Sequence, residues 1–188
     1  KRMEFLDELN ASRHLSMNRE EKNWLIFTHE GRYFCLYRCE PYTLFELTEE
    51  FEVRGIARLL KFPLKRKLGT FLANGSNPIF NENKKFGRHY ITVCHNFSHA
   101  PESNKRNRTY FHYALIISHD SLRPIGFSQR PIFGGALKPR AGRHNNISYV
   151  SGFHLAGEKG YLFYGEGDTH SNCCVMSLAE LYDWIEPL

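Results

Sequence analysis

No stretch of this 188-residue chain strings together the roughly 20 apolar residues that a helix needs to cross a bilayer, so no membrane-spanning helix is predicted. No Gly-Lys-Ser/Thr loop is present to cradle a nucleotide phosphate. The five cysteines show no zinc spacing, and their odd number leaves at least one unpaired. Cys35 and Cys39 lie four apart on a predicted strand, which gives them one face but too much separation for an easy bridge. Cys173 and Cys174 are adjacent and point to opposite faces. All five are read as reduced, small apolar fillers. No Cys–His arrangement can be drawn, which removes thiol catalysis. His95 and His99 lack a carboxylate or third ligand nearby, so no metal site is expected.

A surplus of one charge sign is also missing. The chain has 25 Lys and Arg against 20 Asp and Glu, for a net charge of +5. That balance suits an anionic ligand such as phosphate, a nucleotide sugar or an acidic glycan as well as it suits nucleic acid. The stacking aromatics and repeated basic face of a nucleic-acid groove are not evident, and no nucleic-acid partner is expected. The densest basic run, Lys61 to Lys67, reads as a solvated loop.

What is present is a foldable composition. The 41% apolar and 14% aromatic content can fill a core of one-domain size, and the 24% charged fraction argues against disorder. The start, Lys1-Arg2-Met3-Glu4-Phe5, looks like neither a signal peptide nor a natural initiation site. The chain is therefore expected to be the middle of a longer polypeptide, with further domains. Asn-X-Ser/Thr acceptors at Asn10, Asn74, Asn96, Asn107 and Asn146 hint at a secretory lumen, but an Asn-rich genome would also supply them. The compartment, lumen or cytoplasm, stays open.

Residues 1–20 read as a polar, helix-compatible lead-in, and residues 21–188 as strands. Asn23 to Phe27, the turn His29-Glu30-Gly31 and Tyr33 to Arg38 form a hairpin by aromatic content and turn chemistry, closed by Pro41. Residues 44–60 form a further strand pair or a strand and a loop. Pro78 to Phe80 and Tyr90 to His95 form a second hairpin around a loop from Asn81 to Gly87. Tyr110 to Ser118 and Pro124 to Ser128 form a third, and residues 134–145 read as an exposed excursion. The last joins Ile147–His154 to Tyr161–Tyr164, followed by a strand from Asn172 to Met176. Ser177 and Glu180 make a capping-box start for a short helix ending near Trp184. Strand pairs recur roughly every 40 residues, the period of propeller blades, although a β-sandwich uses the same hairpins.

The segment Tyr164-Gly165-Glu166-Gly167-Asp168-Thr169 sets a carboxylate in a Gly-flanked turn between two strands. A carboxylate there can accept two vicinal sugar hydroxyls, and Tyr164 can offer an apolar platform to a sugar's C–H face. The competing reading is that Asp168 caps its own turn. His95, on an otherwise apolar strand, reads equally as a site residue or a satisfied core histidine. Trp24 reads as core.

Several motifs occur in one order: Glu21-Lys22-Asn23-Trp24 with Phe27, the Tyr37-Arg38 strand end, Asn74-Gly75-Ser76-Asn77-Pro78-Ile79, Cys94-His95-Asn96, and Tyr164-Gly165 through Asp168-Thr169. That order resembles the five-bladed β-propeller of the family 130 glycoside hydrolases, the mannoside phosphorylases, and related glycosyltransferase-like propellers. The resemblance runs from Glu21 to the C-terminus. It implies an all-β five-bladed propeller, or most of one, with a short C-terminal helix. It implies that Lys22 and Arg38 line an anion site, and that His95, Asn77, Tyr164 and Asp168 contact a carbohydrate. No cofactor is implied beyond phosphate or a nucleotide sugar as co-substrate. Two departures qualify it. The family's general acid lies in an Asp-Pro-Arg-like segment, and residues 1–20 hold only Asp7 in a Leu-Asp-Glu-Leu context, so the catalytic acid is expected upstream. Asn77-Pro78 stands where paired prolines are usual, and Glu166-Gly167 replaces small alanines. These drifts favour glycosyl transfer from a nucleotide sugar or sugar phosphate over phosphorolysis. The alternative is a non-catalytic module that binds glycans or proteins.

Overall fold

A computed structural model of the protein describes residues 23–60, 72–99, 108–134, 147–167 and 169–188. Within them, fourteen strands and one short helix build three antiparallel sheets. The first sheet is a meander of β1 (Leu25–His29), β2 (Arg32–Cys39), β3 (Tyr42–Leu47) and β4 (Val53–Leu60). In β1, buried and exposed residues alternate strictly, which is the period of a strand with one face on a core. Its hairpin with β2 turns through Glu30 and Gly31, both at positive φ (49° and 74°). Two left-handed residues in a two-residue loop match the right-handed twist of the flanking strands.

The second sheet contains β5 (Ala73–Asn74), β6 (Ile79–Asn83), β7 (Gly87–His99), β8 (Arg108–Ser118), β9 (Pro124–Ser128) and β10 (Phe133–Gly134). The third contains β11 (Ser148–Ala156), β12 (Lys159–Glu166) and β13 (His170–Ser177). Helix α1 (Leu178–Asp183) follows, and β14 (Ile185–Pro187) returns to pair with β9 at the edge of the second sheet.

The second sheet is the middle layer, apolar on both faces. Tyr90 and Cys94 of β7, with Tyr113, Leu115 and Ile117 of β8, pack on Phe27, Leu36, Tyr42 and Leu44 of the first sheet. The alternate residues Ile91, Val93, Ala114 and Ile116 pack on Val150, Phe153 and Leu162 of the third sheet and on Leu178 and Leu181 of α1. A strand buried on both sides needs a continuous apolar run, which explains Tyr113 to Ile117. At the end of β1, His29 Nδ1 bonds the Tyr90 hydroxyl at 3.0 Å, and the His119 ring stacks on Tyr90, tying the first two sheets together.

Several sequence expectations are revised. The hairpins predicted at 78–95 and 110–128 are two halves of one sheet, because β7 and β8 pair along their length from His89↔Ser118 to His99↔Arg108. The described residues therefore give three sheets where sequence periodicity suggested a larger number of separate units. Residues 44–60 belong to a strand pair, β3 and β4. The loop at Asn81 shrinks to Lys84–Phe86, held by Asn83 Oδ1, which accepts from the backbone N–H groups of Lys85 and Phe86. Cys35 and Cys39 do not share a face: a β-bulge between Leu36 and Arg38 breaks the two-residue period. Cys35 joins an outer cluster with Phe45 and Leu47, whereas Cys39 enters the core between the first two sheets. Trp24 is not core: it is 42% exposed and tilts against Tyr37 at 6.0 Å. The lead-in at 1–20, and all but the first residue of the excursion at 134–145, lie outside the described residues. No helix among the described residues is long and apolar enough to cross a membrane.

The N-cap of the helix is as the sequence indicates, with Ser177 Oγ accepting the Glu180 backbone N–H. Ser177→Ala is expected to cost about 0.5–1 kcal/mol in urea unfolding at neutral pH, and Ser177→Asp to cost nothing measurable.

Candidate functional site

The three sheets come together at one place, where the ends of β5, β7, β8 and β11 meet the segment before β1. Its floor is imidazole. His95 of β7 and His112 of β8 are register partners with rings 5.8 Å apart, and both are buried. Tyr110, two residues before His112 and so on the same face, tilts against His95 at 5.4 Å. From the third sheet, Tyr149 meets the His95 ring edge-on at 5.1 Å. Phe133 of β10 lies 5.7 Å from His112 and 4.5 Å from Tyr164 of β12. Tyr110, Phe133, Tyr149 and Tyr164 are each half-buried.

His112 is held neutral. Its Nε2 accepts the backbone N–H of Val150 at 3.1 Å, which puts the ring proton on Nδ1. The Phe133 backbone is near enough to favour a proton there without forming a well-aligned hydrogen bond to Nδ1. Burial, with the His95 ring second, pushes the imidazolium pKa down to about 3. Burial also raises the pKa of the Tyr149 phenol, with Tyr110 adding to the rise and the Asn23 side chain, hydrogen-bonded to the phenol, opposing it. At neutral pH both groups are uncharged hydrogen-bonding groups.

Asn74 joins this cluster to the first sheet. It is 3% exposed, and its Nδ2 donates to the carbonyls of Asn23 (2.9 Å), Leu36 (2.8 Å) and Tyr37 (3.0 Å). Its own carbonyl accepts from Asn23 Nδ2 and from the Tyr149 hydroxyl, both at 3.5 Å.

Each sequence-predicted residue has a definite standing. His95 and Tyr164 belong to the cluster, linked through His112 and Phe133. Arg38 is half-buried on β2, directly after the bulge, with its guanidinium 5.2 Å from the Tyr37 ring centre. Asn77 is exposed on the bend between β5 and β6. That bend is pinned by buried Ser76, whose Oγ accepts the Val93 N–H while its own N–H bonds the Val93 carbonyl. Lys22 and Asp168 lie outside the described residues. Of the neighbouring residues, the Gly167 N–H bonds the Ile147 carbonyl and the Thr169 N–H bonds the Glu166 carbonyl. Sequence reading missed Asn23, Asn74, Tyr110, His112, Phe133 and Tyr149. Among the described residues, no group of three His, Cys, Asp or Glu side chains is placed to share a metal ion. Two predicted glycan acceptors, Asn74 and Asn96, are each 3% exposed and cannot carry a sugar in the folded protein.

No family model and no curated protein matches the chain. Solved structures do. A β-1,2-mannobiose phosphorylase from Listeria innocua, solved with β-1,2-mannobiose, aligns with a TM-score of 0.65 at 19% identity, covering 89% of this chain and 47% of that one. A glycosyl hydrolase from Bacteroides ovatus aligns with a TM-score of 0.57 at 15% identity, covering 91% of this chain and 51% of that one. The chain thus spans about half the length of these structures. At this identity the likeness speaks for architecture: the described residues share the propeller-type fold of these glycoside hydrolases.

Proposed function

We propose that the protein is a carbohydrate-active propeller of the glycoside phosphorylase type, breaking a glycosidic bond with phosphate or forming one from a sugar phosphate. The observation that carries the reading is the junction of three sheets, where tyrosine faces surround the buried rings of His95 and His112. Aromatic faces stack on the C–H side of a sugar, and neutral donors and acceptors order its hydroxyls. A guanidinium gives phosphate charge-assisted bonds. In this reading Arg38, with Lys22, holds phosphate. Asp168, His95 and Asn77 bind sugar hydroxyls, and Tyr164 packs on the ring. The five-bladed count also belongs to this proposal.

In phosphorolysis a phosphate oxygen forms a bond to the anomeric carbon as the glycosidic C–O bond breaks, and the departing oxygen takes a proton. In this reading Arg38 and Lys22 hold the incoming dianion, and phosphate is the only co-substrate required. No side chain here is assigned as the proton donor. The two solved structures are described as a phosphorylase and a glycosyl hydrolase, which favours phosphorolysis over transfer from a nucleotide sugar. A second reading, a non-catalytic glycan-binding module, rests on the lack of an Asp-Pro-Arg segment in this sequence.

The test is a thermal-shift scan of mono- and disaccharides, inorganic phosphate, sugar phosphates and nucleotide sugars. A ligand at 100 times its Kd adds about 2.7 kcal/mol of apparent stability. Stabilisation by a sugar phosphate, with release of sugar 1-phosphate from a disaccharide in phosphate buffer, is the expected result. Binding without product release would favour the module, and stabilisation by nucleotide sugars alone would favour transfer. Asp168→Ala is expected to abolish monosaccharide binding while the melting temperature stays within a few degrees. Large destabilisation with unchanged sugar binding would reduce Asp168 to a turn residue.

A further inference from the structure

We propose that Asn74 is a positioning residue for the anion half of the site, acting through the β2 bulge to set where Arg38 presents its guanidinium. This inference rests on the phosphate role given to Arg38 above.

The bulge between Leu36 and Arg38 takes β2 out of register with β3, freeing the backbone around Tyr37 from regular ladder geometry. The Asn74 amide meets that irregular stretch, donating to the carbonyls of both Leu36 and Tyr37. One NH2 group carries two protons and here faces three carbonyls, the third being Asn23. That crowding fixes the amide's orientation, since a flipped group would set its oxygen against three others. The bond to Asn23 also braces a strained backbone: Asn23 sits at φ 62°, in the left-handed region, and returns a hydrogen bond from its own Nδ2 to the Asn74 carbonyl. One buried residue therefore holds, by its side chain, the residue before Trp24 and the bulge before Arg38 and, by its backbone carbonyl, the Tyr149 hydroxyl of the third sheet.

The amide is not used to full advantage for stability. Asn74 Oδ1 is buried with no hydrogen-bond partner. An orphaned buried carbonyl oxygen is a standing cost, and such costs persist where the geometry they enforce is needed. The geometry enforced here is the spacing between a cation on the first sheet and an aromatic cluster shared by the other two.

The experiment measures inorganic phosphate and neutral disaccharide binding by calorimetry, on the full natural chain, for wild type, Arg38→Ala, Asn74→Ala, Asn74→Asp and the Arg38→Ala/Asn74→Ala double variant. Misplacing a binding group by a fraction of an ångström costs about tenfold or more, so Asn74→Ala is expected to weaken phosphate binding about tenfold, with disaccharide affinity changed less than twofold. The decisive comparison is the double variant. If Asn74 acts through Arg38, removing Asn74 costs nothing further once Arg38 is gone. Additive losses overturn the proposal, as do unchanged phosphate affinity in folded Asn74 variants and failure of both Asn74→Ala and Asn74→Asp to fold. Wild type that binds disaccharide but not phosphate overturns the functional reading itself, a result distinguishable from any of these.

Discussion

Acidifying the protein from pH 7 to pH 4 is expected to cost about 3 kcal/mol of stability through His112 alone. In the folded protein its imidazolium pKa lies near 3 because the ring is buried and faces His95. In the unfolded chain it returns to about 6.5. The native state therefore binds fewer protons than the unfolded state across the window from pH 6.5 to 3, and stability falls as pH falls through it, by about 1.4 kcal/mol per pH unit. Above pH 6.5 the contribution is complete and flat. His29 and His89 shift in the same direction, both chiefly through burial, and steepen the slope. Urea unfolding at pH 7 and pH 4 for wild type and His112→Gln isolates the term. The variant loses stability at pH 7, because a flexible amide replaces a ring packed against His95 and Phe133, but its pH dependence is shallower by about 3 kcal/mol over the interval. Parallel curves for the two proteins would show that His112 titrates alike in the folded and unfolded chains, and the depressed pKa would fail with it.

The same ring links stability to function. A proton on Nε2 of His112 would oppose the Val150 N–H, at the point where β11 delivers Tyr149 to the cluster.

The parts of this arrangement legible in the sequence were those encoded locally. Glu30-Gly31 between alternating strands gave the β1–β2 hairpin, and Ser177 with Glu180 gave the helix start. His95 stood out because it interrupts an apolar strand, and Tyr164 because it is an aromatic at a strand end before a Gly-flanked turn. The pairing of β7 with β8 was not legible, since the polar residues Asn96, Ser98 and Arg108 fall between the two predicted hairpins. They belong to the strands' outer ends, where the ladder runs past the core. Strand β10 is two residues long, too short for any periodic signal. Asn74 was hidden inside a turn-like Asn-Gly-Ser, and only its contacts with Leu36 and Tyr37, far away in sequence, reveal its work. Tyr110 and His112 did leave a signal: with Ala114 and Ile116 they occupy one face of β8, where two polar rings replace aliphatic residues. Weighing polar substitutions face by face along each strand would have found them.

Gly134→Ala is expected to be the most damaging added methyl among the described glycines. Gly134 sits at φ 112°, a conformation that side chains rarely adopt, and an added Cβ would lie 2.2 Å from the Tyr110 carbonyl oxygen. The obstacle is backbone in the middle layer, so no rotamer change relieves it. Strained φ costs about 1–3 kcal/mol, and the clash must move β10 off β8. A loss of roughly 3 kcal/mol or more follows, or about 6–12 °C in Tm for a chain of this size. Gly31→Ala is the matched control: it also has positive φ, 74°, but a Cβ there meets nothing within 4 Å, so only the conformational cost applies. The difference between the two variants measures the clash. The damage at Gly134 does not stop at stability. Its neighbour Phe133 fills the space between His112 and Tyr164, and displacing β10 uncouples Tyr164 from the imidazoles. If the aromatic junction is the sugar site, Gly134→Ala measured well below its melting temperature weakens disaccharide binding by at least tenfold, whereas Gly31→Ala leaves it unchanged. Gly134→Ala protein that is destabilised as expected yet binds sugar like wild type would remove Phe133 and Tyr164 from the binding surface.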